Sequence, residues 1–251
     1  MVAKGLSPRF AGTRLYCDLP LSPGAEIALP EAAARHAVTV LRLQVGDTVN
    51  LFNGEGGEYR ASLVAVSKRE TRVRLIEFHT AERESPLEIT LALGISAGER
   101  MDYSLQKATE LGVTAIVPLA TERSVVKLTG ERADKRLQHW RHVVIAACEQ
   151  CGRNRVPAVA PVQTLVGYLA AADRSKRRLL LSPDAATPLK QVPPSAAVVL
   201  LIGAEGGLAP SEYQAAEASG FEPVSLGPRI LRTETAPVAA LAVLQALWGD
   251  L

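Results

Sequence analysis

The chain has 251 residues, 47% hydrophobic, 22% charged and only 4% aromatic, with a formal net charge of +2. That length buries a sizeable core in one large domain or two small ones, and so small a net charge does not announce a nucleic-acid binder. No apolar run approaches the roughly eighteen residues of a bilayer span, the N-terminus lacks a signal peptide's apolar core, and three cysteines build no disulfide framework, so a cytoplasmic chain with reduced thiols and no membrane partner is expected.

Charge is uneven along the chain. Residues 1–76 hold ten Lys/Arg against seven Asp/Glu, a surplus of +3, and the remainder carries −1. A mildly basic front is a weak pointer to a polyanion. Residues 1–12 are small and polar and read as a loose arm. From Arg14 onward short strands alternate with turns: 49–52 runs into the glycine turn 53–57, residues 58–66 alternate through Tyr59, Ala61 and Leu63, and 72–76 alternate again. Repeated short strands with glycine turns predict a small β-barrel. One helix interrupts them at 30–43, where Ala33, Ala37, Val40 and Leu41 fall at helical spacing. His36, Arg42, Arg14 and Lys68-Arg69 form either an RNA-facing patch or a solvated rim. With so few aromatics, such a patch would grip phosphate and shape more than base edges.

Residues 80–86 are polar and end in proline, which marks a linker between segments 1–79 and 87–251. Beyond it, strands at 87–94, 115–119, 179–181, 198–202 and 223–226 alternate with helices at 101–111, 131–152, 210–219 and 235–248. Such alternation predicts an α/β fold with a parallel sheet covered on both faces. The long helix carries His139, His142, Cys148 and Cys151, a spacing that imitates a zinc site or a redox pair. At about 100° per residue the histidines project roughly opposite the cysteines. The cysteines share a stripe with Leu137, Trp140, Val144 and Ala147, which reads as core, and no metal is implied. The last helix carries no charge between Glu234 and Asp250. A helix apolar all round is covered all round, and a second copy of the chain is the expected cover: a homodimer.

The stretch 198–236 says most about function. An apolar strand ends in Gly203-Ala-Glu-Gly-Gly207, a second turn reads Leu226-Gly-Pro-Arg229, and Arg232-Thr-Glu-Thr235 opens the last helix. Two glycine turns at the ends of neighbouring strands suit a small ligand held mainly by backbone groups. Neither common phosphate-binding fingerprint is present. Glu205 inside the first turn would repel phosphate but accept from an amino or hydroxyl group. A turn with no ligand is the plainer alternative; the second glycine turn and Arg232-x-Glu234 weigh against it.

Taken in order, Ile202-Gly-Ala-Glu-Gly-Gly-Leu208 and Leu226-Gly-Pro-Arg-Ile-Leu-Arg-Thr-Glu-Thr-Ala236 resemble the signature of the RsmE family, small-subunit rRNA uridine-N3 methyltransferases of the knotted SPOUT superfamily. The resemblance covers nearly the whole chain. It extends to Gln106-Lys-Ala-Thr-Glu-Leu-Gly112, Glu122-Arg-Ser124 with Lys127, Ala147-Cys-Glu-Gln-Cys-Gly-Arg153, Arg14-Leu-Tyr16 and Val40-Leu-Arg42. It implies a SPOUT-type parallel sheet with a C-terminal trefoil knot behind a small PUA- or OB-like β-barrel, acting as a homodimer. It also implies S-adenosylmethionine as cofactor and methylation of N3 of a specific uridine in 16S rRNA of the small ribosomal subunit.

On this resemblance the cofactor would be held by Leu181, Ile202, Gly203, Glu205, Gly206, Gly207, Leu226, Gly227, Ile230 and Leu231. Arg232 is the candidate catalytic cation, and Glu234 the base or the group that orients Arg232; the two could also pair to cap the last helix. Arg14, Arg42, Arg123, Arg153 and Arg155 are candidate RNA contacts. The chain departs from the family pattern at Ala204, usually proline, and at Ala209, usually a capping serine, a loss of about 1 kcal/mol. Two alternatives stay open: a SPOUT enzyme acting on a ribose 2′-oxygen, and a non-catalytic RNA-binding assembly factor.

Overall fold

The structure is a computed structural model and describes residues 12–67, 70–171 and 174–251. The expected loose arm (Gly12 apart) and the pair Lys68-Arg69 lie outside the described residues. The chain divides into two compact units. One holds the described residues up to Arg83 together with Cys148–Val156, the other Glu84–Ala147 and Pro157–Leu251.

The front unit contains β1 (Thr13–Tyr16), β2 (Glu26–Ala28), β3 (Thr48–Phe52), β4 (Glu58–Val66) and β5 (Thr71–His79), hydrogen-bonded in the order β1-β3-β4-β5-β2. Only the β1–β3 ladder is parallel. Side chains alternate across a strand, so Val49 and Leu51, Ala61 and Leu63, and Val73 and Leu75 all point into one core. They meet Leu15, Cys17, Leu29, Ala33 and Ala37 there. The helical segment expected at 30–43 is shorter and has two parts: α1 (Glu31–Arg35), then a π-helical turn, His36–Val40. Hydrophobic spacing marks a helical segment but does not separate these two windings, which differ by one residue per hydrogen bond.

The back unit contains β6 (Glu88–Gly94), α2 (Glu99–Glu110), β7 (Ala115–Ala120), α3 (Glu131–Cys151, whose last four residues count with the front unit), β8 (Ala158–Val159), β9 (Gln163–Thr164), α4 (Leu165–Ala171), β10 (Arg177–Leu181), β11 (Ala197–Ile202), α5 (Pro210–Ala218), β12 (Glu222–Val224) and α6 (Thr235–Trp248). The sheet order is β12-β10-β11-β6-β7-β8, with β9 also on β7, and every ladder is parallel. In β11, Val199 and Leu201 meet Leu165 and Leu169 of α4 and Ala216 of α5, while Val198 and Leu200 are buried on the opposite face. That is the doubly covered parallel sheet expected from the alternation of strands and helices.

Strands β8 and β9 and helix α4 were not expected, because two-residue strands and a seven-residue helix carry too little period to read. Strand β12 stops at Val224, two residues early, where the Ser225 N–H bonds to the Thr187 carbonyl at 2.9 Å. In α3, Leu137, Trp140, Val144, Ala147 and Cys148 are buried and Cys151 is half-buried, while His139 and His142 are exposed. His139 Nε2 lies 2.7 Å from Asp102 Oδ2.

Candidate active site

Loops leaving the C-terminal ends of parallel strands form the natural crevice of an open α/β sheet. Here the loops after β10, β11 and β12 enclose a cavity of about 300 Å³. Residues 181–183 make one wall and 202–207 a second. Leu226, Gly227, Arg229, Ile230 and Leu231, with Thr233 and Ala236 at the start of α6, make the third. All ten residues singled out for a cofactor therefore line one cavity, and Ser182, Pro183, Ala204, Arg229, Thr233 and Ala236 join them.

The first glycine turn is closed by the Gly207 N–H bonding to the Ala204 carbonyl at 2.9 Å. Gly203 is required by close approach: a Cβ there would lie 2.7 Å from the Gly207 carbonyl carbon. Gly227 is required by conformation, with φ of 107°. Glu205 does not simply project into the cavity. Its Oε1 accepts the Ala97 N–H at 2.8 Å and lies 3.4 Å from Arg100 Nη1, tying the turn to the loop after β6. Its Oε2 is buried with no partner among the described residues. The same β6 loop reaches the third wall, where Ser96 Oγ and Thr233 Oγ1 are 3.1 Å apart.

A second brace comes from residues 121–124. The Arg123 guanidinium donates to the Gly206 carbonyl at 3.0 Å. Glu212, in the first turn of α5, accepts the Glu122 N–H at 2.8 Å and the Ala209 N–H at 3.0 Å. None of these braces was legible beforehand, because each joins residues close in space and, apart from Ala209 with Glu212, far apart in sequence.

Arg232 is exposed and Glu234 half-buried; they flank Thr233, and neither is among the residues lining the cavity. The Arg232 carbonyl accepts the Thr235 and Ala236 N–H groups at 3.0 and 2.9 Å, which starts α6. Among the five candidate RNA contacts, Arg42, Arg123 and Arg155 are exposed. Arg14 and Arg153 are not surface cations. Arg14 pairs with the buried Glu58, donates to Asn154 Oδ1 at 2.7 Å and to the Arg153 carbonyl at 3.0 Å, and lies over the Phe52 ring. Burial lowers its pKa to about 10, so it stays charged at neutral pH. Arg153 is 3% exposed. Arg14 departs from the expectation because a buried carboxylate at position 58 needs a cation beside it, which sequence spacing did not reveal.

The cavity wall thus combines the backbone of two glycine turns with the apolar side chains Ile202, Leu226 and Leu231. Such a lining suits a partly apolar ligand that carries hydrogen-bond donors. Among the described residues, no group of three or more His, Cys, Asp or Glu side chains is arranged to hold a metal ion, and no helix is long and apolar enough to cross a membrane.

Residues 83–245 match the RNA methyltransferase domain family and residues 29–76 the RNA methyltransferase PUA domain. The chain is 33% identical to the ribosomal RNA small subunit methyltransferase E of Buchnera aphidicola subsp. Schizaphis graminum, over 95% of this chain and 97% of that protein. It is 37% identical to the protein of the same name from Synechocystis, over 89% of this chain and 74% of that one. Among solved structures, a Neisseria gonorrhoeae ribosomal RNA small subunit methyltransferase E bound to S-adenosylmethionine shares 43% identity at a TM-score of 0.89, covering 96% of this chain and 99% of its own. A Legionella pneumophila protein described as a methyltransferase, solved with the same cofactor, shares 41% identity at a TM-score of 0.93 with the same coverage.

Proposed function

The chain belongs to the ribosomal RNA small subunit methyltransferase E family, and on that premise we propose that it transfers a methyl group from S-adenosylmethionine to N3 of a uridine in 16S rRNA. The observation that carries this reading is the convergence of both glycine turns on one cavity, in a chain more than 40% identical to proteins solved with that cofactor.

The residues present fit the cofactor. Gly203 and Gly227 allow the two turns to wrap the cavity with backbone groups, and Ile202, Leu226 and Leu231 offer apolar cover for an adenine. When bound, S-adenosylmethionine supplies an electrophilic methyl group on a sulfonium centre. The chain supplies the rest. Uracil N3 carries an imide proton that must leave, and the ring charge that follows must be offset. We assign Glu234 either as the base that takes this proton or as the group that orients Arg232, and assign the offsetting charge to the Arg232 guanidinium, which stays protonated throughout. Both belong to the segment that joins the third cavity wall to α6.

In this reading the front unit grips rRNA through Arg42 and Arg155, and Arg123 is a candidate contact of the back unit in its own right. Arg14 instead holds the front unit together, bonded to Glu58, Asn154 and the Arg153 carbonyl. The domain boundary lies within residues 80–86, the C-terminal loops form the trefoil knot of the superfamily, and the protein works in the cytoplasm. Two copies pair through α6, whose Ala246 and Leu247 are exposed and whose Ala239, Ala242 and Val243 are half-buried.

Calorimetric titration of S-adenosylmethionine into the full chain tests the cofactor: one saturable site per subunit is expected, lost in Gly227→Trp, and no heat from the parent protein overturns the reading. Mass spectrometry of 16S rRNA from a deletion strain tests the target. Loss of a base methyl on a uridine is expected; loss of a ribose methyl instead would sink the N3 assignment.

A further inference from the structure

The π-helical turn of the front unit breaks three local rules within ten residues. The Leu41 N–H reaches back to the His36 carbonyl at 3.0 Å and the Leu43 N–H to the Ala37 carbonyl at 3.0 Å, a helix end wound one residue wider than the usual capping motif. The residue that reverses the chain is Arg42, with φ of 57°, the only non-glycine residue with positive φ among those described. Around it stand apolar side chains in water: Val40 is 66% exposed and Val45 61%. The turn is not loose. Leu43 packs on the core, the Gly46 N–H bonds to the Leu63 carbonyl at 2.8 Å, and the Leu63 N–H bonds to the Asp47 carbonyl at 2.9 Å.

Glycine or asparagine would close this helix end without strain, so an arginine at this position points to use of its side chain. A phosphate contact alone does not account for the arrangement. It needs only a cation, and it gains nothing from exposed valines. We infer that Val40, Arg42 and Val45 form a base-contacting element that takes an unstacked rRNA base against the guanidinium plane and the two apolar side chains. Arg guanidinium planes stack on splayed RNA bases, and apolar side chains wedge beside unstacked ones.

The charge around the turn favours RNA over a protein partner. Arg35 precedes the π turn, His36 opens it with its Nδ1 3.9 Å from the Glu149 carboxylate, and Asp47, the next acidic side chain along the chain, is taken by the Gln44 N–H at 2.7 Å. The inference rests on rRNA being the partner, and it replaces a purely phosphate-gripping front unit with one that also touches a base.

The test is filter binding of the full chain to naked 16S rRNA and to assembled small subunits across a salt series, with cofactor calorimetry and methyl transfer followed in parallel. Val40→Ser with Val45→Ser is expected to weaken binding roughly fivefold or more without changing the salt dependence. Arg42→Lys keeps the charge and therefore the salt dependence, yet loses affinity to a similar degree. Arg42→Gly loses affinity, lowers the salt slope by about 0.7 to 0.9, and raises Tm by about 2 °C as the backbone strain is relieved.

Parent-like affinity in the double serine variant overturns the inference, and so does parent-like affinity in Arg42→Lys, which marks a phosphate contact only. Weakening confined to the assembled small subunit, with naked rRNA bound normally, overturns it in favour of a protein partner. A parent chain that binds rRNA but never methylates it defeats the proposed function and leaves the base contact standing.

Discussion

Gly203 and Gly227 stand in the same cavity wall for different reasons, and their variants separate them. At Gly203 the obstacle is backbone: a methyl group would lie 2.7 Å from the Gly207 carbonyl carbon and 2.9 Å from the Leu208 nitrogen. Neither atom can yield without opening the turn. Gly203→Ala is therefore expected to lower S-adenosylmethionine affinity at least about tenfold by calorimetry, which corresponds to about 1.4 kcal/mol. At Gly227 the space is open and only φ is wrong for an L residue. Gly227→Ala then costs roughly 1 kcal/mol of stability, read as a lower Tm, with a smaller effect on the cofactor; equal losses of affinity in the two alanine variants would refute the distinction. Charged residues follow the same logic of surroundings. Glu58 is 1% exposed, and the cation it demands is Arg14, which is thereby withdrawn from any surface role.

Helix α5 begins without a capping hydroxyl, because Ala209 stands where a serine would serve. The structure makes good part of that loss. The Glu212 carboxylate accepts the Ala209 N–H and, with its other oxygen, the Glu122 N–H, so one side chain closes the helix start and holds the 121–124 loop whose Arg123 braces the Gly206 carbonyl. Glu212→Ala leaves two N–H groups without that acceptor. It is expected to lower Tm by about 2–4 °C and to raise KM for the cofactor more than it lowers kcat. Glu212→Gln, whose amide oxygen still accepts one bond, should fall between the parent and Glu212→Ala. A Tm loss with an unchanged KM would show the brace to be structural only. Helix α6 presents the opposite case, an element incompletely covered. Its Pro237, Ala240, Leu241, Leu244 and Gln245 are buried, while Leu247 is 46% exposed.

At the scale of the whole molecule, that outer stripe of α6 is where a second copy would pair. Sedimentation of the full chain should show a dimer, and Ala246→Glu with Leu247→Glu should give a folded monomer; a monomeric parent protein would defeat the proposal. Sequence alone determined the kinds of element present, the parallel sheet of the back unit, both glycine turns and the apolar stripe on α3. Those features are set by period and turn chemistry, which act between neighbours in the chain. The cavity was legible for the same reason: its lining comes from residues beside recognisable turns at the ends of β10, β11 and β12. Tertiary structure alone decided what braces it. Ala97 holds Glu205, Thr233 meets Ser96, and Arg123 reaches Gly206 because parallel strands with long crossovers bring distant loops to one edge. It also decided that Arg14 is half-buried and paired with Glu58 while Arg42 is displayed on a strained turn. Both are arginines in a basic segment, and only the packing around each one separates a paired cation from a surface one.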